Sequence, residues 1–183
     1  MASLLGTNPA HPVLRDPASS FLNAFWDLAS NESEERRNAA KLIIGHLNST
    51  SVDGKSLSKD GEYALKRLIK GLTSSRLSAR HGFATCLSEV LHSVAGIDVA
   101  AALEMLHDNT KVTGAVRGAE ERDLLFGGLF GYIAFHRGGA LAGSIEHRLM
   151  ALKGYCFLTD PNPNPNPNPY PKPNVLPFTP SLL

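Results

Sequence analysis

The chain has 183 residues and a formal net charge of +1, with 43% hydrophobic and 19% charged residues. That length accommodates one domain with a real core, or one domain plus a tail, and the near-neutral balance gives no global electrostatic argument for nucleic acid. No run approaches the ~18 apolar residues of a membrane span. The opening "MASLLGTNPAHPVLRD" lacks the basic stretch and long apolar run of a secretory signal, so the composition reads as soluble and intracellular.

Proline divides the chain. Residues 1–17 carry Pro9, Pro12 and Pro17 and read as a flexible lead-in. Residues 18–157 contain none, and a long proline-free stretch with apolar periodicity points to all-α structure. Residues 158–183 hold nine of the twelve prolines, in "DPNPNPNPNPYPKPN". Alternating Pro forces extended backbone and leaves few donors, which predicts a disordered Pro-Asn tail.

Seven helices are expected between these ends. In the first, Phe21, Leu22, Phe25, Leu28 and Ala29 share a face, and Trp26 reads as packing of the first helix pair. Asn31 or Ser33 caps the second, with Glu34 and Glu35 favourably placed near the positive end of its dipole and Ala39, Ala40, Ile43, Ile44 and Leu47 facing inward. "NSTSVDGKSLSKD" (48–60) is a polar loop. The third runs from about Glu62 to Leu72 on Leu65, Leu68, Ile69 and Leu72, and "TSS" after Gly71 breaks it. The fourth begins at Ser74 or Ser75 and carries Phe83, Leu87, Val90, Leu91 and Val94 on one side. Asp98 caps a fifth through Leu106, a sixth spans about Glu120–His136 and a seventh about Ser144–Phe157. Short antiparallel helices with small turns are the layout of a bundle or an α-solenoid. Cys86 and Cys156, each alone in its stretch, read as reduced, buried thiols.

Positive charge concentrates in one place. "EYALKRLIKGLTSSRLSARHGF" (62–83) carries Lys66, Arg67, Lys70, Arg76 and Arg80 against the single carboxylate of Glu62. Lys66, Arg67 and Lys70 fall opposite the apolar face of the third helix, as a solvated face would. Arg76 and Arg80 sit in the first turns of the fourth helix, where cations oppose the dipole, and they turn toward its apolar side. Glu62, Asp27 and Glu89 are candidate internal partners. The alternatives are a phosphate or an acidic protein surface. The patch has no interleaved aromatics beyond Tyr63 and Phe83, which argues against a stacking platform for single strands.

The residues around this patch also resemble a known family. "YALKRLIKGLTSSRLSARHGFATCLSEVL" (63–91) is similar to the N-terminal signature of the DNA polymerase phi family, also called the Myb-binding protein 1A or yeast DNA polymerase V family. "FLNAFWDLASNESEERRNAAKLIIGHL" (21–47) and "EERDLLFGGLFGYIAFHRGGAL" (120–141) resemble flanking blocks of the same family in order and spacing. The resemblance covers roughly residues 20 to 150. It implies an armadillo/HEAT-like helical-repeat protein of the nucleus and nucleolus, linked to DNA binding, transcription regulation, rRNA synthesis and ribosome biogenesis. The partners it implies are DNA or rRNA gene chromatin and nucleolar proteins, with no membrane, small-molecule substrate or cofactor. After about Phe157 the Pro-Asn repeat stands where family members continue the helical array.

The expected function is therefore a non-catalytic scaffold that binds DNA or pre-ribosomal components through Lys66, Arg67, Lys70, Arg76 and Arg80. One alternative is a protein-interaction module whose basic patch meets an acidic partner. In a solenoid, Arg76 and Arg80 can equally be staples between repeats. A true polymerase, as the family name suggests, needs paired carboxylates for two metal ions, and no Asp-x-Asp occurs. The glycines of "FGGLFG" (126–131) lie in an apolar helix, where close helix approach explains them better than phosphate binding. The seven histidines show no zinc-ligand spacing.

Overall fold

The computed structural model describes residues 17–50, 56–113 and 115–159. The described residues form seven helices: α1 (Pro17–Asp27), α2 (Ser33–Thr50), α3 (Lys59–Gly71), α4 (Leu77–Ser93), α5 (Val99–Thr110), α6 (Ala119–Arg137) and α7 (Ile145–Thr159). No strand occurs among them. The expected Pro-Asn tail, most of the lead-in and residues 51–55 of the polar loop lie outside the described residues.

Boundaries shift for local reasons. Pro17 opens α1 rather than ending the lead-in, consistent with the tolerance for proline in a first turn. The α3 helix starts three residues early because Ser58 caps it, its side chain accepting from the Gly61 amide. Asp98 caps α5 as expected, accepting from the Ala101 amide, and that helix runs on to Thr110. The α4 helix starts later than expected: its cap position is Arg76, which supplies no side-chain bond. Asn31 is not engaged at the start of α2. Its side chain accepts from Arg76 and Ser78 instead.

The packing makes two layers. The α1–α2, α3–α4 and α5–α6 pairs each pack together; α2, α4 and α6 then touch in sequence, and so do α3, α5 and α7. The α1 helix joins the second row through Phe25, whose ring meets Tyr63 of α3 edge-on at 5.8 Å. One continuous core runs between the layers, with Phe25, Leu28, Ile43, Leu68, Ile69, Leu87, Leu106 and Phe135 fully buried. His46 of α2 adds a polar tie to α3, 2.8 Å from Asp60, and stacks on Phe21.

Glycines set the closest approaches. A Cβ at Gly82 would run into the backbone carbonyl of Leu28, so α4 crosses the α1–α2 turn at a distance only glycine permits. In "FGGLFG", Gly127, Gly128 and Gly131 are all buried. A Cβ at Gly127 would press on Thr73, and one at Gly131 on Leu106. Gly127 thus lets α6 approach the α3–α4 turn, and Gly131 lets it approach α5.

Candidate basic surface

The five cations do not form one patch. They separate into a buried staple, an exposed turn and an outward face.

Arg80 is the staple. It is 7% exposed, and its guanidinium donates to the Ser74 carbonyl at 2.6 Å and to Asp123 of α6 at 3.3 Å. It also lies over the Phe126 ring, 5.1 Å from the centroid. The carboxylate partner is therefore Asp123, not Glu62, Asp27 or Glu89. Arg80 Nε is buried with no hydrogen-bond partner among the described residues. The guanidinium ties the α3–α4 turn to the start of α6, where Arg122 also approaches Asp123. Burying a cation is costly unless it is paired, and the ion pair, the carbonyl and the ring together offset that cost.

Arg76, contrary to the expectation that it turns toward the apolar side, is exposed: it takes the extended cap position before α4 and not a place in the helix. Its guanidinium donates to Asn31 at 3.2 Å, linking the α1–α2 and α3–α4 turns. Repulsion between Arg76 and Arg80 is limited because one points outward and the other inward. Arg36, at the start of α2, reinforces the first turn by donating to the carbonyls of Ser30 and Asn31.

Lys66, Arg67 and Lys70 occupy α3 as expected. Lys66 and Lys70 are exposed, and Arg67 is partly buried. Arg67 donates to the Tyr63 hydroxyl at 2.6 Å and lies over the rings of Phe25 and Trp26, at 5.1 and 5.5 Å. Trp26 corrects the sequence reading: it is not core but 72% exposed. The core stripe of α1 is Phe21, Phe25 and Leu28. Trp26 lies one step around the helix on a second stripe with Leu22, itself exposed. Phe83, the other aromatic of the basic stretch, is buried.

The thiols also differ. Cys86 is buried, and desolvation, with Glu89 adding to it, pushes its pKa up to about 12. Cys156 is exposed, contrary to the expectation that both would be buried. Burial likewise pushes the Tyr132 phenol up to about 12. No group of three or more metal-ligating side chains comes together among the described residues.

Comparison with known proteins places these features. Residues 63–151 match the family described as DNA polymerase phi. The chain is 37% identical over 110 residues to the rDNA transcriptional regulator pol5 of Schizosaccharomyces pombe, covering 60% of this chain and 11% of that protein. It is 30% identical over 153 residues to Myb-binding protein 1A of Homo sapiens, covering 83% of this chain and 11% of that protein. The chain belongs to the DNA polymerase phi family. Its match also extends to the rDNA transcriptional regulator POL5 of Saccharomyces cerevisiae, 33% identical over 123 residues, 58% of this chain and 12% of that one. The chain spans about a tenth of the length of these relatives. No solved structure matches. Within the family segment lie α4, α5 and α6 and most of α3, including all five cations and Asp123; Asn31 and Trp26 precede it.

Proposed function

We propose that this chain is an armadillo/HEAT-like binding segment that supports regulation of rDNA transcription, and with it ribosome biogenesis, in the nucleus and nucleolus. It acts by contact, through DNA or pre-ribosomal components held on the basic surface of α3 and the α3–α4 turn. The observation carrying this reading is the exposure of Lys66, Lys70 and Arg76 around a rigid helical frame, in a chain whose yeast relatives are named rDNA transcriptional regulators. The two-layer packing supports the repeat architecture. Exposed lysines and arginines release counterions from phosphates, so binding of this kind is steeply salt-dependent. Arg80 contributes by fixing the turn from beneath.

A test is fluorescence anisotropy of a labelled duplex titrated with the full chain at low and physiological salt. Saturable binding that weakens steeply with salt, and weakens further in Lys66→Gln/Lys70→Gln, is expected. Absence of binding at low salt removes the nucleic-acid reading. The name Myb-binding protein 1A favours a second reading, in which the same cations meet an acidic protein surface. A nuclease-insensitive pull-down without direct DNA binding selects it.

A further inference from the structure

Resting on the nucleic-acid reading above, we propose that the outer face of α1 and α3 is a stacking platform for a single nucleic-acid strand, with Trp26 as its base-stacking residue. Tyr63, Lys66, Arg67 and Lys70 stand at i, i+3, i+4 and i+7 and so share one stripe of α3. None of these four is acidic, and the exposed Glu62 flanks them one turn before Lys66. Trp26 of α1 supplies the further aromatic that the basic stretch itself lacks, and joins the stripe through the Arg67 guanidinium, 5.5 Å from the indole centroid.

Three features favour an unpaired strand over a duplex. Trp26 is 72% exposed and Tyr63 41% exposed, so both rings are accessible to a base. Arg67 lies against the indole, and at 72% exposure the ring still offers surface on which a base can stack. Arg67 is itself held by the Tyr63 hydroxyl at 2.6 Å and by the rings of Phe25 and Trp26, so the platform is ordered before a ligand arrives. Lys66 and Lys70, one helical turn apart, lie alongside as phosphate contacts. Exposed aromatics beside a cationic track are what strand binding needs, because every base has a π-face and every nucleotide a phosphate. A duplex offers phosphates to the lysines but no accessible base face to the indole. An acidic protein segment likewise satisfies the lysines and leaves the indole unused.

Trp26 is the chain's single tryptophan, so tryptophan emission, excited selectively over the tyrosines, reports on this site alone. The protein is titrated at low salt with oligouridylate, oligothymidylate, a duplex and polyglutamate, and anisotropy of each labelled probe is followed in parallel. Saturable quenching by one or both single strands is expected, with little quenching by duplex or polyglutamate. Trp26→Ala weakens single-strand binding about tenfold, the scale of one base stack. Trp26→Phe keeps most of the affinity, and neither change alters duplex binding. The indole is on the surface, so both variants fold; unchanged circular dichroism checks this. Duplex and single strand binding equally, with the indole unquenched and Trp26→Ala without effect, overturns the platform and leaves the basic-surface reading standing. No binding of any nucleic acid at low salt overturns both. Quenching by polyglutamate equal to that by the strands overturns the platform in favour of a protein partner.

Discussion

Arg67 and Arg80 stand thirteen positions apart in one basic stretch, and the fold uses them in opposite ways. Arg80 is drawn into the seam between α4 and α6, where Asp123, the Ser74 carbonyl and Phe126 surround it. Arg67 stays at the surface of α3, held by a hydroxyl and by rings, with lysines on either side. Charge density in a sequence therefore does not define a surface. The direction of each side chain does, and that direction follows from where its helix meets its neighbours.

The inner region is the easier to break. Gly82→Ala has the largest expected effect, because the new Cβ meets a backbone carbonyl rather than a flexible side chain. A loss of about 3 kcal/mol in urea unfolding is expected, and a loss below about 1 kcal/mol would mean that α4 and the α1–α2 turn separate easily. Arg80→Ala follows, at about 2–3 kcal/mol, because it leaves the mostly buried Asp123 with only the more distant Arg122, 3.8 Å away and exposed. The double change Arg80→Met/Asp123→Leu is expected to recover stability to within about 1 kcal/mol of the parent. Failure of that recovery would show that the carbonyl contact, not the ion pair, is the main tie.

Next comes a pH effect. The Cys86 thiol is raised to about 12 in the fold, so it stays protonated where the unfolded chain ionises near 9.0. The unfolded state then binds fewer protons, and stability falls as pH rises from about 9 toward 12. Tyr132 acts in the same sense from 10.0 upward. Thermal melts of Cys86→Ala are expected to show a shallower decline over the first part of that window. The smallest effect belongs to the outer region: Lys66→Gln/Lys70→Gln is expected to change stability by no more than about 0.5 kcal/mol.

Much of this was legible in the sequence. The proline-free span and the apolar periodicity of residues such as Leu65, Leu68, Ile69 and Leu72 announce an all-helical fold, and the structure buries all four. The inward turn of Arg80 also followed from its position beside Phe83 and Leu87. Its partner did not, because Asp123 lies 43 residues away and is brought close only by the packing of α4 on α6. Trp26 was misplaced because a tryptophan next to a phenylalanine invites a core reading. Helical spacing held the correction: Phe21, Phe25 and Leu28 are the i, i+4, i+7 set, and Trp26 with Leu22 falls on the neighbouring stripe. The proximity of Trp26 to Arg67 is a tertiary contact across two helices that no local pattern encodes.

The most direct test of the division between the two regions compares two double variants in the same salt-dependent nucleic-acid titration. Arg80→Met/Asp123→Leu is predicted to bind like the parent, since those charges face each other inside the seam. Lys66→Gln/Lys70→Gln is predicted to lose affinity and to flatten the salt dependence while melting like the parent. The reverse outcome, binding lost with the seam pair and retained without the two lysines, would contradict the account.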